Sequence, residues 1–311
     1  MIRVLRPGLL TTIQDLGRDG WAGVGVPRGG AADPRALRLG NRLVGNAGNA
    51  PALEMTLAGP TLLFERDAVA ALSGADFGAR LGARRADAWS SFAVRAGDVL
   101  ECPGGPSMAR GYLCVAGGVE APVVLGGRST CLPGLFGGHE GRALRAGDAL
   151  RLAPPPPTAA PRRIDPEFVR QLAPRGRLRV LPGPHLERFP PESLASLSSS
   201  GYRVSTQSNR VGVRLQGPPV RRLGTDEMPT EGMVAGAVQV PAGGEPIVLG
   251  VDCGTTGGYP VLASVITADL PELGQLRPGD VVRFGVVTLE DALEALRESE
   301  RLLAAVPLVE S

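Results

Sequence analysis

Apolar residues in the first half of the chain come in short runs broken by glycine and proline, a texture of strands and turns. The pattern predicts strands over residues 2–5, 53–57, 61–64, 68–72, 92–94, 99–102 and 112–116, with Pro7-Gly8 ending the first. Helical spacing appears where Asp33-Pro34 supplies an N-cap and a first-turn proline; Ala36, Leu39 and Leu43 give a buried face and Gly45 a C-terminal stop. Asn41 falls off that stripe, as a solvated helix side chain would. Glu54 interrupts an apolar strand, so it either faces solvent or points into a cleft.

The second half repeats this texture. Asp165-Pro166 opens a short helix, strands follow over 178–181 and 247–251, residues 190–200 read as a short helix and a polar connection, and a last strand ends near Phe284. Thr288 and Asp291 form a capping box for a final helix that turns Leu289, Leu293 and Leu296 inward. Between the halves lies a proline-rich stretch. The division expected is 1–153, a linker over 154–163, and 164–311. A turn of apolar-Arg-x-Gly-Asp-x-apolar type occurs at Val94–Leu100, Leu144–Leu150 and Leu276–Val282, where each aspartate is expected to cap its turn. With the weaker echo of residues 56–60 in 214–218, it suggests that the halves share one barrel-like architecture.

Composition narrows the chemistry. There are 44 glycines, 29 prolines and few aromatics in 311 residues, so Val, Leu, Ala and Ile fill the cores of a turn-rich β protein. No lysine occurs; all 33 basic residues are arginine. That excludes a Walker-type phosphate loop, Schiff-base catalysis and a biotin attachment site on this chain. The net charge of +2 is spread without a basic stripe, against nucleic-acid binding. Cys102, Cys114, Cys131 and Cys253 lack metal-ligand or redox spacing, as in a reduced cytoplasmic protein, and no metal site is expected. No apolar run is long enough to span a membrane, and the N-terminal residues lack a signal-peptide core. His139 and His185 sit apart in Gly/Pro-rich loops and read as ordinary packing or surface histidines.

The densest chemistry lies in residues 239–260. A hairpin punctuated by Pro241 and Gly243-Gly244 leads into a strand and then a turn carrying Asp252, Thr255, Thr256, Gly257, Gly258 and Tyr259. Such a turn is either a binding nest of backbone N–H groups or a tight barrel corner. Arg128 and Arg142, in glycine-rich loops, either fork onto a carboxylate or phosphate or bond loop carbonyls.

Six ordered motifs carry a resemblance over nearly the whole chain: residues 14–20 (Gln-Asp-Leu-Gly-Arg-Asp-Gly), Gly25-Val-Pro27 with Gly30-Ala-Ala-Asp33, Asn41 to Asn46, Ser205 to Arg210, Gly236 to Pro241, and Thr255 to Pro260. They resemble the KipA family, also described as allophanate hydrolase subunit 2-like or biotin-dependent carboxyltransferase subdomain proteins. Thr230 and Val211 depart mildly from the pattern. The resemblance implies a mainly β fold of two cyclophilin-like β-barrel domains with a few short helices. It also implies a role like that of the C component of an ATP-dependent 5-oxoprolinase. Such a component works with a KipI-like partner (the B component) and a LamB/YcsF-like partner (the A component) to open 5-oxo-L-proline to L-glutamate. ATP with Mg would act at the level of the complex. Two alternatives stay open: the carboxyltransferase component of a biotin-dependent urea or amide carboxylase, and a non-enzymatic regulator that binds a KipI-like kinase inhibitor. For lactam opening, residue type assigns Gln239, Thr255, Thr256 and the Gly257/Gly258 amides as donors and Asp252 as acceptor, with Tyr259 a further catalytic candidate. Asn209 and Arg210 form a second wall, and the first half adds Asp33, Asn41, Glu54 and Arg128.

Overall fold

The structure, a computed structural model, describes residues 1–156, 161–173, 176–224 and 228–310. It is mainly β with a few short helices. The chain forms two compact units: Met1–Asp19 with Gly29–Ala173 and the segment from Ala305 onward, and Gly20–Arg28 with Pro174–Ala304.

Two sheets make up the first unit. One runs in the order Ala149–Leu150, Ile2–Arg6, Thr61–Phe64, Val99–Glu101, Arg80–Leu81, Arg84–Arg85. The other runs Leu10–Gln14, Ala52–Thr56, Arg110–Val115, Ala68–Gly74, Ser90–Val94, Arg162–Ile164, Leu308–Glu310. Alternating apolar residues of both sheets meet in one core, including Val4, Leu62 and Phe64 from the first and Leu53, Leu113 and Phe92 from the second. Of the proline-rich stretch, residues 157–160 lie outside the described residues, and Arg162–Ile164 is a strand of the second sheet.

The helix Pro34–Leu43 lies on that sheet. Asp33 Oδ1 accepts the Ala36 N–H at 3.0 Å, Pro34 occupies the first turn, and Ser73 Oγ donates to the Ala36 carbonyl at 2.7 Å. Only glycine suits position 40, where a Cβ would stand 2.4 Å from Ser73 Oγ and 2.7 Å from Cys114 Sγ. Asn41 corrects the solvated reading, because it is wholly buried. Its Nδ2 donates to the Ala50 carbonyl at 2.8 Å and its Oδ1 accepts from Asn46 Nδ2 at 3.0 Å, fastening the loop after the helix.

In the second unit, seven strands close into a barrel: Arg177–Pro182, Val261–Val265, Ala237–Gln239, Ile247–Leu249, Gly212–Gln216, Gly201–Val204 and Val281–Val286. The last pairs in parallel with the first, so no edge is left open. Val180, Val238, Val248, Leu262 and Val282 fill it, with Tyr202 and Phe284 edge-to-face at 6.0 Å.

The three repeated turns are built alike. Asp98, Asp148 and Asp280 each accept the backbone N–H of the arginine three residues earlier, at 2.8, 2.7 and 2.8 Å. Gly97, Gly147 and Gly279 take φ of +95°, +91° and +94°, which a side chain would strain. The final helix, Leu289–Ala304, has the expected capping box: Thr288 N–H donates to Asp291 Oδ2 and Asp291 N–H to Thr288 Oγ1, both at 3.1 Å. Its buried face differs, being Ala292, Ala295 and Leu303, while Leu289 and Leu293 are exposed. Two alanines allow that helix to sit close against Ile266 and Ala268.

Candidate functional site

The turn after residues 247–249 is anchored by a buried ion pair. Asp252 is 2% exposed, and both its oxygens accept from Arg210, from Nε at 2.7 Å and Nη2 at 3.0 Å. The Asp252 N–H also donates to the Arg210 carbonyl. Both carboxylate oxygens are thereby occupied within the chain. Asp252 and Arg210, the expected acceptor and wall, are paired with each other and fix the turn. Asn209 is exposed but spends its Oδ1 on the N–H groups of Val211 and Gly212, closing its own turn.

Beyond the anchor the chain opens outward. Thr256–Gly257 pairs antiparallel with Glu231–Gly232, and the Thr255 carbonyl accepts the Met233 N–H. Gln239, on a barrel strand, lies beneath this ribbon: its Nε2 is 3.4 Å from Met233 Sδ and 3.5 Å from the Tyr259 carbonyl. A Cβ at Gly257 would stand 2.8 Å from that nitrogen, so glycine lets the amide approach the ribbon. Gly258 is exposed, and Tyr259 leaves 49% of its surface in solvent. Gln239, Thr255, Thr256, Gly257, Gly258 and Tyr259 are thus gathered in one place.

Two further residues complete the cluster. His185 is buried in the loop after Arg177–Pro182, where its Nδ1 accepts the Val261 N–H at 3.0 Å. That bond leaves the ring proton on Nε2, which faces Glu231 Oε2 at 3.1 Å. Glu231, its side chain 49% exposed, sits across the ribbon from Gly257. The result is a solvent-facing carboxylate oriented by a buried imidazole, beside an amide donor and the exposed residues Thr256, Gly258 and Tyr259. Such a set can accept or relay a proton and donate to a carbonyl oxygen. Residue type and spacing point to neither of the two. Asp226 and Glu227 precede Glu231 in the sequence, so charge alone does not single it out, and His185 lies 46 residues from it with no sequence signal of the pairing.

Candidates from the first half do not share one solvent-facing site. Glu54 is 1% exposed, and its Oε2 accepts from the Ala32 N–H at 2.8 Å and the Tyr112 hydroxyl at 2.7 Å. It neither faces solvent nor points into a cleft. Burial first, then the charges of Glu54 and Asp33, pushes the Tyr112 hydroxyl well above its ordinary pKa, so it stays a donor. Asp33 is buried too, as the helix cap. These two carboxylates, with Asn41, are buried and hold loops to the sheet. Arg128 donates from Nη1 to the Ala121 carbonyl and from its backbone N–H to Asp15 Oδ2 at 2.6 Å, while lining an open cleft of the first unit. Arg142 is taken up by Asp148 and Glu140. Among the described residues no group of three or more His, Cys, Asp or Glu could hold a metal ion. No described helix is long and apolar enough to cross a membrane.

A closed barrel carrying this ribbon, with a second β unit of similar turn construction, has known counterparts. The chain belongs to the carboxyltransferase domain, subdomain A and B family, whose model matches residues 24–286. It is 41% identical over 303 residues to the C component of 5-oxoprolinase from Escherichia coli, covering 97% of this chain and 96% of that protein. It is 38% identical to the corresponding 5-oxoprolinase component of Haemophilus influenzae, over 96% of each chain. The crystal structure of Kluyveromyces lactis urea amidolyase superposes with a TM-score of 0.89 at 32% identity, covering 97% of this chain but 20% of that one.

Proposed function

We propose that this chain is the C component of an ATP-dependent 5-oxoprolinase, acting with KipI-like and LamB/YcsF-like partners in the cytoplasm to hydrolyse 5-oxo-L-proline to L-glutamate. The observation that carries the reading is the end-to-end match with the E. coli protein, which leaves almost none of either chain unaligned. The chemistry of the His185–Glu231 cluster supports it. Opening a lactam breaks a C–N bond and adds water across it, and amide resonance opposes both. Phosphorylation of the lactam oxygen by ATP, which releases ADP, removes that resonance. Water then adds to the ring carbon, the C–N bond breaks with the nitrogen taking a proton, and a second water releases the phosphoryl group as inorganic phosphate. This chain then has to bind the polarised group and manage protons. Gln239 Nε2 and the turn N–H groups donate toward the oxygen, and Glu231 accepts the ring N–H or the proton of the attacking water. The imidazole of His185 keeps Glu231 aimed. Mg would accompany the nucleotide at the level of the complex.

A second reading, carboxyl transfer from carboxybiotin to a urea-like amide, is favoured by the superposition on urea amidolyase. It requires a biotin carrier on another chain, because this one has no lysine to modify. Glutamate release from 5-oxoproline and ATP, assayed with each of the three components omitted in turn, separates the two. The oxoprolinase reading expects turnover only when all are present. Turnover unaffected by leaving this chain out, or appearing only with urea, bicarbonate and a biotin carrier, would overturn it.

A further inference from the structure

The first unit contains an open cleft of about 660 Å³, lined among others by Val119, Glu120, Arg128, His139, Leu150 and Arg151. That volume suits a small ligand. Its polar groups are unevenly matched: two guanidinium groups and an imidazole face it against one carboxylate. Arg142, the other arginine of these glycine-rich loops, is bound by Asp148 at 2.8 and 3.0 Å and by Glu140 at 2.7 Å. Arg128 has instead a single side-chain bond, to the Ala121 carbonyl, which steadies the guanidinium and leaves its other donors over. His139 is steadied likewise, with Nε2 3.3 Å from Asp148 Oδ1. Among the described residues, the side chains of Arg151 and Glu120 have no hydrogen bond or ion pair. Behind the wall, Arg66 donates to the carbonyls of Leu152 and Ala153 at 3.3 and 3.1 Å and adds positive potential.

We propose that this cleft binds a small molecule carrying an oxyanion group, phosphate or carboxylate, together with a hydrogen-bond donor. Arg128, held in place, supplies a forked contact to the oxyanion at little cost in side-chain entropy. Arg151 closes over it from the rim. Glu120 selects against a purely anionic ligand and takes the donor, which is a ribose hydroxyl in a nucleotide or an ammonium in an amino acid. The proposal is argued from the cleft of the first unit; ADP and L-glutamate are also products of the proposed reaction, but that reading rests on the relatives and the second unit, so failure to bind them here leaves it untouched.

Titration calorimetry on the full-length chain, with ADP in one arm and L-glutamate in the other, tests it. Binding of either is expected at millimolar concentration or below, weakening with salt. R151Q and the R128Q/R151Q pair should each weaken it roughly tenfold or more, whereas R84Q, on a distant strand, should leave it unchanged. The arm that binds identifies the source of the oxyanion. Because Arg128 also ties the Ala121 carbonyl, R151Q is the variant that decides if the pair fails to fold. Heat in neither arm, or binding that R151Q leaves at its original strength, would overturn the proposal.

Discussion

At the scale of single residues, side chains of similar promise in the sequence turn out to do opposite work. Asp252 was the natural acceptor by type and position, yet its carboxylate is sealed against Arg210. Removing one partner leaves a buried charge uncompensated, so Asp252→Ala should cost about 3–5 kcal/mol in urea unfolding. An unfolding midpoint equal to the parent's would show that the pair is not an anchor. Glu231 has the reverse character: it is half exposed, and losing its charge should leave stability within about 0.5 kcal/mol. The gathering of Gln239, Thr255, Thr256 and Tyr259 was legible, because they lie within 21 residues across one hairpin and turn. The His185–Glu231 contact was not, since barrel closure brings together loops far apart in sequence.

Turns and helices were read best where a local rule fixes them. The Arg-x-Gly-Asp turn needs only a glycine at positive φ and an aspartate three residues after the arginine, and all three copies obey. Asp280→Ala should lower stability by about 1 kcal/mol, comparable to losing a helix cap; no change in denaturant midpoint would contradict its capping role. Asp148 carries more. The Arg142 guanidinium, and after it the Arg145 N–H and His139, hold its carboxyl at a pKa of about 2, below the ordinary 3.8. A folded pKa lower than the unfolded one gives stability that is present above pH 3.8 and is lost as pH falls toward 2. That share is on the order of 2 kcal/mol. Acid unfolding of Asp148→Asn should therefore be shallower across this interval; an unchanged acid limb would count against the assignment. The final helix shows where such rules stop. Its cap was legible, but Leu289 and Leu293 suggested an inner face that close packing gave to Ala292 and Ala295.

Over the whole molecule, composition indicated a mainly β protein, and the structure has that form, with a closed barrel in the second unit and two sheets around one core in the first. What composition could not supply was the burial of Glu54 and Asn41, which depends on how loops fold back over a sheet. Each unit also shields its cysteines: all four are free and buried, and burial raises the Cys102 thiol to about 12 and Cys253 to about 11. A thiol reagent at neutral pH should label none in the native protein and all four after unfolding; fast labelling of the native chain would mean that a unit opens readily.

The central claim is that the exposed ribbon carrying Glu231, aimed by His185 beside Gln239, is where this protein meets its substrate. Its most direct test is the rate of glutamate release from 5-oxoproline and ATP by the reconstituted complex containing Glu231→Gln. A fall of roughly 100-fold or more, with the variant still folded and still assembling, is the predicted result; turnover at the parent rate would contradict it.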